Sequence, residues 1–204
     1  VVCTSGTALL NYAPAVAEAY YQKLPLIVIS ADRPMEWIDQ DDSQTIRQYE
    51  ALAQFVKKSY DLPARCDDDT ALWYANRIVN DAVSEATSCQ RAPVHINVQI
   101  DEPINAVAEW TGKQRIIEVS EPSAELSAEA ISRLADEAMG KNILIIAGFD
   151  RHDACLEAEI NRLAEFPNVA VLTETIANIK ASRKIAAVDR TLLAMDSHKK
   201  FVPD

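Results

Sequence analysis

Leu26-Ile-Val-Ile-Ser30 is a continuous apolar run bounded by Pro25 and Pro34. Prolines end regular hydrogen bonding, so the run is confined between them, and its lack of apolar–polar alternation predicts a strand covered on both faces. Further strands are expected at Val94-His-Ile-Asn-Val98, at Asn142-Ile-Leu-Ile-Ile-Ala147 and at Val169-Ala-Val-Leu-Thr173. Between them the apolar residues recur at helical spacing. This alternation predicts βαβ units, hence an α/β protein with parallel sheets flanked by helices.

The helices are placed by their apolar positions. One follows Gly6, with Val16, Ala19, Tyr20 and Leu24 on its apolar face and Pro14 in a first turn or at a kink. After a loop over 35–42, a second is expected to turn Ile46, Tyr49, Leu52, Ala53 and Val56 inward. A longer one follows Asp69-Thr70, its stripe formed by Leu72, Ala75, Ile78, Val79, Ala82, Val83 and Ala86. Residues 106–125 are polar and turn-rich, which predicts a linker. A second α/β unit over 126–204 opens with Ser127 as N-cap and Glu129 in the first turn, on a helix carrying Ile131, Leu134, Ala135 and Ala138. Its next helix carries Leu156, Ile160, Leu163 and Ala164.

A formal net charge of -11 over 204 residues argues against nucleic acid or an anionic membrane as the main partner. The longest apolar runs fall far short of the roughly 20 residues that span a bilayer, so no integral membrane association is expected. Cys3, Cys66, Cys89 and Cys155 are scattered, with no Cys-x-x-Cys pair and no signal peptide ahead of them, a pattern that fits reduced thiols in the cytoplasm. Val1-Val2-Cys3-Thr4 reads as a strand already under way, so the chain is expected to be part of a longer one.

Three places invite chemistry. Thr4-Ser5-Gly6-Thr7 puts hydroxyls and backbone N–H groups at a helix start, which suits an anion or a flat heterocycle and equally a plain turn. Asp32-Arg33-Pro34 presents a guanidinium just past a buried strand, either as a fork for a carboxylate or phosphate or as a partner of Asp32 or Asp39. Ser43-Gln44 follows and would close over the same ligand, while Asn11 reads as a ligand contact or a buried polar bridge. The three histidines form neither a triad nor a metal site: His95 reads as a packed sheet residue, and His152-Asp153 with Cys155 lacks a second ligand pair. No catalytic side chain and no metal ligand is assigned.

Taken together, Thr4-Ser-Gly-Thr-Ala8, Asn11, Pro14-Ala-Val-Ala-Glu-Ala19, Pro25-Leu-Ile-Val-Ile-Ser-Ala-Asp-Arg-Pro34, Gln44-Thr-Ile-Arg-Gln48 and Pro93-Val-His-Ile-Asn-Val98 with Glu102-Pro103 resemble the MenD family. These are thiamine-diphosphate-dependent 2-succinyl-5-enolpyruvyl-6-hydroxy-3-cyclohexene-1-carboxylate synthases of menaquinone biosynthesis. The resemblance is dense over the first half of the chain and thin afterwards. It implies that residues 1–105 are the later part of a pyrimidine-binding domain, and that 126–204 begin a central domain. The implied reaction decarboxylates 2-oxoglutarate and adds the resulting carbanion equivalent to isochorismate, with thiamine diphosphate and Mg2+ in a homo-oligomer. Arg33, Gln44 and Ser43 are then substrate-binding, Ser43 standing where some members have asparagine; Gly6, Thr7 and Asn11 lie near the cofactor. The family's activating glutamate and its diphosphate-binding motif match nothing in the chain, which implies that the 204 residues alone are inactive and bind no cofactor. The alternatives are a piece of an acetohydroxyacid-synthase-like thiamine enzyme, which Arg33 and Gln44 oppose, and a non-catalytic dimerisation module.

Overall fold

The computed structural model describes residues 1–88, 90–101, 114–120, 122, 124–195 and 202–204; Cys89, Glu102-Pro103 and half of the expected linker lie outside them. The chain divides into two compact units, Val1–Pro122 and Ser123–Asp204.

The first unit is built on a parallel sheet in the order β1-β2-β4-β3, with β1 at Val2–Cys3, β2 at Ile27–Asp32, β3 at Lys58–Leu62 and β4 at Val94–Gln99. Strand register sets what each face carries. Ile29 pairs with Ile96, Ser30 with Asn97, Asp32 with Gln99, and Asp61 with Asn97. Side chains alternate across a strand. One face therefore collects Ile96, Tyr60 and Val94 against Ile78, Ala82 and Ala86 of helix α2, Asp69–Thr87. The other starts apolar, with Val28 against Leu9, Val16, Leu52 and Val56, and becomes polar toward the carboxyl ends of the strands. Asp68 caps α2 by accepting from the Ala71 N–H at 2.8 Å.

Several expectations change here. The segment after Gly6 begins as a 3₁₀ turn, Gly6–Tyr12, and becomes helix α1 only over Ala13–Tyr21, with Pro14 in its first turn. Val16 and Ala19 are buried, whereas Tyr20 and Leu24 are exposed. Residues 43–56 form no α-helix: they are turns closing in a 3₁₀ segment, Ala53–Phe55. Gln44 and Glu50 adopt left-handed φ values of 57° and 62°, which a helix excludes. Leu52 and Val56 are still buried, but Tyr49 is exposed. The stripe on α2 narrows as well, leaving Leu72, Val79 and Val83 exposed.

The second unit pairs β5, Ile143–Ala147, in parallel with β6, Val169–Thr173. Helix α4, Ala154–Leu163, buries Ile160 in a core with Ala164, Val171 and Ile179. Helix α3, Ala128–Ala138, has the expected Ser127 cap, yet Ile131 and Leu134 on it are exposed. A short α5, Val188–Ala194, follows.

Candidate functional site

The carboxyl end of the first sheet holds a connected polar network. Gly6 sits at φ +81°, and a Cβ built on it would lie 2.9 Å from the Gln44 carbonyl oxygen, so the turn requires glycine. Its N–H donates to Gln48 Oε1 at 2.9 Å. An N–H can only donate, so the Gln48 carbonyl oxygen faces Gly6 and its amide nitrogen faces the strands. That nitrogen donates to the Ala31 carbonyl (2.7 Å), Asn97 Oδ1 (2.9 Å) and Ser30 Oγ (3.0 Å). Gln48 is 1% exposed. It staples the glycine turn to β2 and β4.

Asn97 passes the network on. Its Nδ2 donates to Asp32 Oδ2 at 2.9 Å and to Asp61 Oδ1 at 2.8 Å, and Gln99 Nε2 donates to Asp61 Oδ2 at 2.6 Å. Asp32 is buried, and desolvation raises its pKa above the ordinary carboxylate value. The hydrogen bonds from Asn97 and from the Arg33 N–H oppose that shift, and the nearby Asp61 adds to it. Ser30 Oγ lies 2.7 Å from His95 Nε2. His95 is fully buried, and desolvation depresses its pKa to about 4, so it is neutral near pH 7. Its Nδ1 has no partner among the described residues. Placing the proton on Nε2, donated to Ser30, leaves Nδ1 as a bare acceptor and no orphan donor.

Arg33 follows this row. Its Nε stands 3.3 Å from Asp42 Oδ2, and its side chain is 16% exposed. Asp39 pairs with Arg47 at 2.8 Å, and Asp32 accepts from the Arg33 N–H at 2.8 Å, so Asp42 is a partner of the guanidinium that was not among those expected. Arg33 lines a cavity of about 220 Å³ together with Asp32, Arg47, Gln48, Tyr49, Asp61 and Asn97. The other residues singled out in sequence are placed differently. Gln44 packs its backbone against Gly6, and both Ser43 and Gln44 are exposed outside that lining. Thr7 and Asn11 are exposed on the 3₁₀ turn, so Asn11 is not a buried bridge.

Gln48, Asp61, Asn97 and Gln99 were not singled out as site residues. A signal for two of them was present: Val94-His95-Ile96-Asn97-Val98-Gln99 alternates apolar and polar, and places His95, Asn97 and Gln99 on one face. The polar alternates normally face water; here they are buried or half-buried, which marks a site.

The geometry offers a guanidinium to an anion above a buried polar floor. The described residues include no group of three or more His, Cys, Asp or Glu side chains arranged to hold a metal ion. They do not fit the magnesium and diphosphate end of a thiamine cofactor.

Residues 1–51 match the family described as thiamine pyrophosphate enzyme, N-terminal TPP binding domain. The chain is 40% identical, over its full length, to the 2-succinyl-5-enolpyruvyl-6-hydroxy-3-cyclohexene-1-carboxylate synthase of Porphyromonas gingivalis, and covers 36% of that protein. It is 39% identical over its full length to the synthase of Desulfotalea psychrophila, covering 39% of it. Over 104 residues, 51% of the chain and 19% of the relative, it is 55% identical to the Bacteroides fragilis synthase. In fold it is similar to the crystal structure of a candidate thiamin diphosphate-dependent enzyme from Mycobacterium smegmatis, with a TM-score of 0.60 at 20% identity, over 86% of this chain and 32% of that one. The chain thus spans little more than a third of the curated relatives it matches along its whole length. It belongs to the thiamine-diphosphate-dependent family of 2-succinyl-5-enolpyruvyl-6-hydroxy-3-cyclohexene-1-carboxylate synthases.

Proposed function

We propose that this chain supplies the substrate-carboxylate contact of a synthase that decarboxylates 2-oxoglutarate and adds the resulting succinyl unit to isochorismate. In this reading residues 1–105 are the later part of the pyrimidine-binding domain, 106–125 a linker and 126–204 the start of the central domain. Thiamine diphosphate with Mg2+, when bound in the whole homo-oligomeric protein, supplies the carbanion chemistry. The chain's own residues bind and orient. The observation that carries the reading is Arg33, held at the carboxyl end of β2 and lining the cavity. Ligands of open parallel sheets bind at that place.

Asp42 pairs with the Arg33 guanidinium at 3.3 Å. Its own side chain is 38% exposed, and ion pairs so open to water contribute only about 0–1 kcal/mol. A substrate carboxylate can therefore replace it at small cost and gain the bidentate geometry that guanidinium offers. Ser43 and Gln44, on the loop beyond Asp42, are assigned to closing over the bound acid, and Gly6, Thr7 and Asn11 to the cofactor side.

In the whole synthase, Arg33→Ala is expected to raise KM for isochorismate about tenfold or more, the loss of a charge-assisted hydrogen bond pair of about 1.5–3 kcal/mol. KM for 2-oxoglutarate is expected to change less. Steady-state kinetics with each substrate varied in turn decide this, and equal effects on both would show the arginine to be wrongly assigned. Calorimetric titration of the 204-residue chain with thiamine diphosphate and Mg2+ is expected to show no micromolar binding; a micromolar constant would mean that this chain holds the cofactor unaided.

A further inference from the structure

A second cavity lies wholly within the second unit, past the carboxyl end of β6. It encloses about 450 Å³ and is lined by Thr173, Thr175, Lys180 and Lys184, with His152 and Glu174 also on its wall. Its walls are tied down. Thr173 N–H donates to the Ile185 carbonyl at 3.0 Å and Ile185 N–H to the Val171 carbonyl at 2.8 Å, which pins the chain carrying Lys184 alongside β6. Asn178, in the left-handed region at φ 53°, donates through Nδ2 to the Asp150 carbonyl at 2.6 Å and joins the loops that follow the two strands. Lys180 N–H donates to Glu157 Oε2 at 2.7 Å, anchoring the far wall to α4.

The donors of this cavity outnumber its one carboxylate, Glu174. Lys184 Nζ gives one proton to the Ile179 carbonyl at 2.7 Å and has two left. The Lys180 ammonium helps to lower the pKa of Glu157 by its charge and makes no hydrogen bond among the described residues. Thr173 is fully buried, and its Oγ1 has no partner among the described residues. A buried hydroxyl without a partner is costly, so this one marks a place where a further acceptor is favoured. His152 Nε2 lies 3.3 Å from Glu157 Oε2, and Lys180, Lys184 and Glu174 are the other charged side chains of the lining.

We propose that the second unit binds a small polyol phosphate here, its phosphoryl group between Lys180 and Lys184 and accepting from the Thr173 and Thr175 hydroxyls. Two ammonium groups and two hydroxyls match a group of nearly two negative charges and three acceptor oxygens better than a single carboxylate. The cavity exceeds the size of a lone phosphate. Glu174, the acid on its lining, accepts from hydroxyls on the rest of the ligand.

Isothermal titration of the full 204-residue chain with glycerol 3-phosphate, inorganic phosphate, glycerol and succinate, in a phosphate-free buffer of low ionic strength, tests this. Both phosphates are expected to bind, glycerol 3-phosphate at least threefold tighter, with glycerol silent and succinate at least tenfold weaker. The double variant K180Q/K184Q is expected to lose at least tenfold in affinity, with circular dichroism reporting its fold. Because Lys184 also ties down the Ile179 carbonyl, K180Q alone serves as the second variant and is expected to lose at least threefold. T173V is expected to weaken phosphate binding while leaving the ligand-free melting temperature unchanged or raised. Unchanged affinity in K180Q, succinate binding as tightly as phosphate, or no heat from either phosphate would overturn the proposal.

Discussion

Gln48 carries more of the first unit's polar organisation than its place in a turn segment suggests. A single side chain accepts from Gly6 and donates to three acceptors on β2 and β4. Replacing it by leucine keeps the volume and removes every one of those bonds. The Gly6 N–H and the Asn97 Oδ1 would then be buried with fewer partners, at about 1–3 kcal/mol for each group left unsatisfied. Gln48→Leu is therefore expected to lower stability by about 2–4 kcal/mol, read as a fall in the urea midpoint with an unchanged slope. A loss below 0.5 kcal/mol would show that the network is incidental to folding.

At the scale of the element, β4 presents two different faces, and the polar one has a pH signature. His95 is neutral in the fold, with its pKa depressed to about 4 from an ordinary 6.5 by desolvation. The unfolded chain therefore takes up the proton first as pH falls. Stability from this group is fully present above about 6.5 and is lost as the pH falls through 6.5 toward 4, by about 3 kcal/mol in all. His95→Gln retains an amide able to reach Ser30 and cannot titrate, so its stability is expected to vary less over that interval. Denaturant unfolding at pH 7, 5.5 and 4.5 compares the two slopes; parallel curves would place the acid sensitivity elsewhere.

The same scale explains which elements were legible. Strands β2, β4, β5 and β6 announce themselves by apolar or β-branched runs, and α2 by its long periodic stripe, because these patterns are local. Lys58-Ser-Tyr-Asp-Leu62 has two apolar residues in five and was not anticipated as a strand; pairing with β4 makes it one. Residues 46, 49, 52, 53 and 56 have helical spacing without a helix, because the segment must bend to bring Gln48 under Gly6 and then bury Leu52 and Val56 beside Val28. Local periodicity cannot register such a distant hydrogen-bond demand.

For the whole chain, acidity sets the solution behaviour. With 31 acidic against 20 basic residues the net charge is -11, and the sequence pI is about 4.7. Large apolar side chains such as Trp73, Met139 and Leu193 are exposed, at 55%, 75% and 88%. Charge repulsion opposes association through them at neutral pH, and it vanishes at the isoelectric point. Light scattering is expected to rise steeply as the pH is lowered toward about 4.7, where the stability tied to neutral His95 has also largely been lost. A solution that stays clear and monodisperse through that pH would contradict this. No helix among the described residues is long and apolar enough to cross a membrane.

Composition, periodicity and short motifs were enough for the α/β class, the parallel strands, the position of Arg33 beyond β2 and the family, since each is written within a few neighbouring residues. The company Arg33 keeps was not legible in that way. Its pairing with Asp42, the engagement of Asp39 by Arg47, and the convergence of Gln48, Asp61 and Asn97 on one cavity join residues from four separate segments. Strand register brings them together: placing Ser30, Asn97 and Asp61 in one row, and Asp32 opposite Gln99 in the next, turns the alternation of β4 into a buried polar floor. A one-residue slip would have turned those same side chains to the opposite face, and register is settled by burial across the whole sheet.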